Sequence, residues 1–183
     1  MTKALRSIDY SYDLVADDGK LTAGKPAQAI EDRIAQVTQE AYDNGDYIVV
    51  AMDRHDEGDT FHPETKLFPP HNIAGTSGRE LYGKLAGVYD AIKDDNRVFW
   101  MDKRHYSAFS GTDLDIRLRE RRVTTVVLTG VLTDICVLHT AIDAYNLGYD
   151  IEVVASATAS LTPEDHDFEI GHFKTVLGAT SVE

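Results

Sequence analysis

Positive charge, cysteine and long apolar runs are all scarce in this sequence, and each scarcity removes a class of protein. Only 18 Lys and Arg stand against 31 Asp and Glu over 183 residues, a net charge of −13. That balance disfavours nucleic acid and anionic membrane surfaces and leaves a small or neutral partner. No apolar run approaches the roughly 20 residues of a membrane-spanning helix. The basic residues near the N-terminus are not followed by the apolar segment of a secretion signal, so a cytoplasmic protein is expected. The single cysteine, Cys136, cannot close an internal disulfide, which agrees with a reducing compartment. There is no Pro/Gly/Ser-rich linker, low-complexity tract or repeat, which disfavours a disordered chain or a solenoid.

What is there is 43% hydrophobic residues arranged in alternating strand and helix patterns. Ala4–Ile8 reads as a first strand, followed by a loop to Gly24. Pro26 opens a helix with Ala27, Ile30, Ile34, Val37 and Ala41 on one face, stopped by Asn44-Gly45. Tyr47–Met52 is the next strand, Arg79–Ile92 a helix with Leu81, Leu85, Val88 and Ile92 inward, and Arg97–Met101 a strand. Asp113–Arg122 is a charged helix resting on Leu114 and Leu118. Val126, Val127 and Leu128 form a buried strand ended by Gly130, and Thr133 caps a helix with Ile135, Leu138, Ile142 and Tyr145 inward, stopped by Gly148. Asp150–Ala155 is another strand, Pro163–Leu177 the last helix, and the final residues return as a short strand. This alternation predicts one α/β domain over residues 1–183: three α/β/α layers on a mostly parallel, doubly wound sheet with right-handed crossovers.

The chemistry gathers at strand C-termini, the edge where such sheets bind ligands. Asp9 ends the first strand, where a buried carboxylate needs a cation or a proton. Asp53 and His55 end the second on one side of an extended chain. His62, Glu64 and His71 follow in one loop, and mixed nitrogen and oxygen donors suit a divalent transition metal. Lys103 follows the third strand. Cys136 falls in the first turn of a helix, where free N–H groups and the helix dipole favour a thiolate. Each has a bland alternative: a buried small hydrophobe for Cys136, a turn residue for Asp9, a solvated acidic loop for the histidines, a surface lysine for Lys103. Their convergence on one sheet edge outweighs those alternatives taken singly.

Ile8-Asp9, Asp53-Arg-His55, Phe68-Pro-Pro-His71 with Gly75-Thr-Ser-Gly78, Lys103 with Tyr106-Ser-Ala-Phe109, and Gly130-Val-Leu-Thr-Asp-Ile-Cys136 together resemble the isochorismatase-like cysteine hydrolases over nearly the whole chain. The resemblance implies a triad of Asp9, Lys103 and Cys136. It implies one divalent metal, Zn²⁺ with Fe²⁺ or Mn²⁺ as alternatives, on Asp53, His55 and His71 with Glu64 as a further carboxylate. It also implies a cis peptide between Val131 and Leu132, an oxyanion hole from the Leu132 and Cys136 backbone N–H groups, and hydrolysis of the small molecule nicotinamide to nicotinate and ammonia. Many relatives carry an aromatic where this chain has Arg54 and a Phe where it has Leu14, so the substrate pocket expected is Leu14, Phe68 and Tyr106. His62 receives no role, and a homo-oligomer is compatible with the sequence. The competing readings are a vinyl-ether hydrolase, which needs neither thiol nor metal, an amidase for a carbamoyl compound, and a non-catalytic binding protein that has no reason to keep three reactive groups on one edge.

Overall fold

The computed structural model describes residues 2–182; Met1 and Glu183, included in the expected domain, lie outside them. Six strands form one all-parallel sheet: β1 (Lys3–Ile8), β2 (Tyr47–Asp53), β3 (Val98–Lys103), β4 (Thr125–Val131), β5 (Asp150–Ala159) and β6 (Thr180–Val182), in the order β3-β2-β1-β4-β5-β6. Side chains alternate along each strand and feed two cores. Ile48, Val50 and Met52 of β2 face Ile34, Val37 and Ala41 of α3 (Glu31–Asp43) and Leu85 and Ile92 of α4 (Gly83–Ile92). Val49 and Ala51 face Leu114 and Leu118 of α5 (Leu114–Glu120), Ala141 and Ala144 of α6 (Leu138–Asn146) and Phe173 of α7 (Pro163–Val176). Strands covered on both faces must be continuously apolar, and that is how β2 and β4 read.

Several expected boundaries move for identifiable reasons. The helix opened by Pro26 is two pieces, Lys25–Ala29 and Glu31–Asp43, divided at Ile30, yet all five expected inner residues are buried. The segment expected to be loop after Asp9 contains a one-turn helix, Tyr12–Val15. The helix expected from Arg79 begins at Gly83, after a 3₁₀ turn over Ser77–Arg79. Thr133 is not a cap: its Oγ1 pairs with His166 Nδ1 at 2.9 Å. Residues Thr133–Val137 form a π turn before α6. The wider turn carries one residue more than an α turn, which rotates everything after it by about 100°. Val137, Ala141 and Ala144 therefore take the inner face, and Tyr145, expected there, is 53% exposed. Thr162 does cap α7, its Oγ1 accepting from Asp165 N at 3.2 Å, with Pro163 in the first turn.

Gly130 does not end its strand. It sits inside β4 at φ +110°, and a Cβ there would lie 2.0 Å from the Ile8 carbonyl oxygen. The β4–β5 register shifts at the same place: Leu128 pairs with Val153, but Gly130 pairs with Thr158. This glycine lets β4 approach β1 closely just where both strands run out. Gly130→Ala combines a strained backbone with overpacking and is expected to cost about 2–4 kcal/mol. Gly45→Ala, at φ +87° with open space around it, is expected to cost about 1 kcal/mol. Urea unfolding of the two variants checks this, and equal midpoints would remove the close-approach argument.

Candidate active site

The strand order delivers the chemistry. Neighbouring strands β3, β2, β1 and β4 end, in that order, at Lys103, Asp53, Asp9 and the turn carrying Cys136. Lys103 and Asp53 are the last residues of β3 and β2 and are register partners, one or two residues beyond where the sequence pattern stops each strand. The sheet's order reverses between β1 and β4, the crevice where doubly wound folds bind ligands.

Lys103 is fully buried, and its Nζ lies 2.7 Å from Asp9 Oδ2, 3.5 Å from Asp53 Oδ1 and 3.7 Å from Cys136 Sγ, and donates to the His105 carbonyl at 3.1 Å. Asp9 is held in place by its backbone as well: its N–H donates to the Ala51 carbonyl at 3.0 Å, and its Oδ1 accepts from Asp53 N at 2.7 Å. Burial opposes the charge on Lys103, but Asp9, Cys136 and Asp53 together raise its pKa, so the ammonium persists. Burial raises the Asp9 carboxyl despite Lys103. The Cys136 thiol is likewise pushed up, by burial and by the two carboxylates, with Lys103 pulling the other way. The thiolate expected from a helix dipole is thus corrected. Cys136 lies in a π turn and the nearby ammonium is already shared by two carboxylates, so burial and those carboxylates favour the protonated sulfur. The Val131–Leu132 peptide beside it is cis.

The second group is Asp53, His55, Glu64 and His71, all buried, with one donor atom from each lying within 4.8 Å of all the others. His55 Nε2 is 2.7 Å from Asp53 Oδ2, and His71 Nε2 is 3.5 Å from the same oxygen and 3.8 Å from Glu64 Oε2. His71 Nδ1 donates to the Pro69 carbonyl at 2.9 Å, which leaves the Nε2 lone pair directed at the cluster. Asp53 stays ionised: burial opposes its charge, but Lys103 and the two imidazoles hold it far below the carboxylate range. Burial and Asp53 raise Glu64. Two imidazoles and two carboxylates buried together are costly unless a cation joins them, so the donor set fits a divalent metal.

His62, without a role on sequence grounds, has one in the structure. It is not among the four donors. Its Nδ1 accepts from Glu64 N at 3.3 Å, its Nε2 donates to the Arg104 carbonyl, and its ring packs edge-on against His55. It braces the donor loop onto the end of β3. Asp13, which the sequence did not single out, accepts from Asn72 N at 2.8 Å, next to His71.

A pocket of about 190 Å³ lies over both groups, lined by Asp9, Asp53 and Cys136, and by the three expected residues Leu14, Phe68 and Tyr106. Leu161 also lines it. The sequence pattern missed Leu161 because it stopped β5 at Ala155, whereas the small residues 156–159 continue the strand and place Leu161 just past its true end. A thiol and a carboxyl able to take its proton, both lining the pocket, with a buried ammonium behind them, are the parts for nucleophilic attack on an acyl carbon.

In the metal-stripped protein, iodoacetamide alkylation of Cys136 is expected to rise only above about pH 8.5, the ordinary thiol value. Lys103→Met is expected to move the profile still higher and Asp9→Asn lower, because Lys103 lowers the thiol pKa and Asp9 raises it. A midpoint near neutrality in the parent protein would contradict this charge assignment.

Comparison with known proteins agrees with the geometry. A solved pyrazinamidase/nicotinamidase from Streptococcus mutans UA159 is 77% identical, with a TM-score of 0.98 over 99% of this chain and 100% of that one. The isochorismatase family protein PncA of Bacillus subtilis (strain 168) is 54% identical over 100% of both chains. A pyrazinamidase of Pyrococcus horikoshii solved in complex with zinc is 26% identical, with a TM-score of 0.86 over 100% of this chain and 99% of that one. Residues 3–182 match the isochorismatase domain; the chain belongs to the isochorismatase family.

Proposed function

We propose that this chain hydrolyses nicotinamide to nicotinate and ammonia through a thioester on Cys136. The observation that carries the reading is Lys103 Nζ, buried 2.7 Å from Asp9 and 3.7 Å from Cys136 Sγ, directly behind two residues that line a pocket of about 190 Å³. Relatives named for nicotinamide and pyrazinamide hydrolysis support the substrate. We place the reaction in the cytoplasm, where a lone thiol stays reduced.

The amide lies with its carbonyl carbon over Cys136 Sγ and its ring between Phe68 and Tyr106. Asp9, whose carboxyl is raised by burial, takes the thiol proton as sulfur attacks, and Lys103 stabilises the negative charge that passes between them. Deferring ionisation until attack avoids holding an unpaired thiolate in the empty pocket. The oxyanion is received by the backbone N–H groups of Leu132 and Cys136. Collapse breaks the C–N bond, and Asp9 returns its proton to the departing nitrogen, which leaves as ammonia. Water then attacks the thioester carbon as Asp9 takes one of its protons, the C–S bond breaks and Asp9 passes that proton to sulfur, restoring the thiol, while the nicotinic acid formed loses its carboxyl proton to solvent as nicotinate. Asp53, His55, Glu64 and His71 would hold a divalent ion such as Zn²⁺, Fe²⁺ or Mn²⁺, which would supply a Lewis-acidic coordination position for the ring nitrogen.

Ammonia release from nicotinamide by the purified protein tests the reaction. Cys136→Ala is expected to lower kcat by at least about 10³-fold with an unchanged unfolding midpoint. Benzamide keeps the ring and amide without the ring nitrogen and is expected to react with kcat/KM at least about 10³-fold below nicotinamide. Turnover of benzamide within tenfold would show that the ring nitrogen is not read.

The metal assignment has its own measurement. Elemental analysis after loading with Zn²⁺ or Mn²⁺ is expected to give about one ion per chain in the parent protein and none in His55→Ala or His71→Ala. Glu64→Ala is expected to retain the ion with affinity reduced about 10–100-fold, the range seen when one supporting group of a metal site is lost. Full occupancy in the His71 variant would eliminate the site.

A further inference from the structure

The four clustered donors are shared between two cavities. The amide pocket touches Asp53, Glu64 and His71. A second cavity, of about 350 Å³, touches His55, Glu64 and His71, and neither Asp9 nor Cys136 lines it. Glu64, His71 and Phe68 are therefore a partition with a cavity on each side.

The two sides differ in chemistry. Beyond the donors, the amide pocket is bounded largely by apolar side chains such as Leu14, Leu132, Ile135 and Leu161, and its one further carboxylate, Asp9, is already paired with Lys103. The second cavity carries the side chains of Asp56, Glu57 and Asp59 and is lined by no lysine or arginine. Arg104 pairs with Asp56 at 2.5 Å and with Asp59 at 2.8 Å, and Arg54 with Asp56 at 3.3 Å, all from outside the lining, which fixes this wall to the ends of β2 and β3 and leaves Glu57 as the carboxylate facing the opening. Glu57 and Thr60 are exposed at the rim. A negatively lined cleft raises the local concentration of cations, and carboxylate oxygens can replace hydration water one ligand at a time.

We propose that the acid-lined cavity is the route by which the divalent cation reaches and leaves Asp53, His55, Glu64 and His71, separate from the pocket that admits the amide. The proposal rests on the metal site argued above. Its consequence is that metal exchange continues when the amide pocket is filled. A second consequence concerns free energies: obstructing a route changes the barrier but neither end state, so uptake and release slow by the same factor and Kd is unchanged.

The test uses the full chain, stripped of metal, with Zn²⁺ uptake and release followed by a chromogenic chelator in stopped flow. Thr60→Trp, which fills the mouth of the second cavity, is expected to slow uptake and release each by at least tenfold and leave Kd within twofold. Alkylation of Cys136 by iodoacetamide at alkaline pH, which fills the amide pocket, is expected to leave both rates within twofold. Glu57→Lys is expected to slow uptake at low ionic strength, with the difference fading at about 1 M salt, where charges are screened within about 3 Å. Slowing by alkylation but not by Thr60→Trp would overturn the proposal in favour of entry through the amide pocket. Identical rates in all forms would overturn it in favour of the loop opening as a whole. Failure of the unmodified chain to retain zinc at equilibrium would instead remove the four-donor site, and the route with it.

Discussion

One buried ammonium ties the site together. Lys103 Nζ is within 4 Å of Asp9, Asp53 and Cys136, and removing one partner from such a buried pair costs roughly 3–5 kcal/mol because the other charge is stranded. The sheet explains why the residue is a lysine. Adjacent strands lie about 4.8 Å apart, so a group on β3 that must meet one on β1 has to pass across the end of β2. A four-carbon stem makes that crossing, and a compact head can sit between two carboxylates. Arginine's planar fork would fix two bonds in one plane where three partners converge from different strands.

The same arrangement decides the state of the sulfur. A lysine next to a cysteine suggests a thiolate when the two are considered alone, and that was the reasonable expectation from residue types. Within the structure the ammonium first offsets Asp9 and Asp53, which leaves a local balance of two carboxylates and one cation before the thiol is counted. Adding a thiolate would place a third negative charge beside them. Burial and the carboxylates accordingly raise Cys136 while Lys103 pulls it down only in part. A proton acceptor at hand then supplies reactivity without requiring a standing anion.

Strand ends were legible because parallel strands covered on both faces are apolar throughout, so the first polar residue after the run marks the edge. Asp53 is found that way; β1 is less regular, since Arg6 and Ser7 lie buried within it before Asp9. Local geometry was not legible where the backbone departs from its usual period. Nothing in Thr133–Val137 announces a π turn, and the one-residue surplus turned Tyr145 outward and Ala144 inward. Gly130 was visible as a glycine, but whether it stops a strand or lets one strand approach another depends on Ile8, far away in sequence. His62 illustrates a third limit. Its residue type fits a metal ligand as well as Glu64 does, and only the partners of its two ring nitrogens distinguish a brace from a donor.

Asp53 removes any clean division between the two groups of residues. Its Oδ1 faces Lys103 at 3.5 Å, while its Oδ2 faces His55 at 2.7 Å and His71 at 3.5 Å. One carboxylate thus belongs to the charge balance of the thiol and to the donor set at once. Whatever positive charge occupies the four donors draws on the same oxygen pair that Lys103 shares, so the field at Cys136 depends on that occupancy through a single side chain. Buried charges of this kind are weakly screened, and an added cation a few ångströms from Asp53 acts on the thiol in the same direction as Lys103. The acid-lined cavity and the amide pocket meet at Glu64 and His71, but the electrostatic contact between the two chemistries runs through Asp53, at the end of the one strand lying between Lys103 and Asp9.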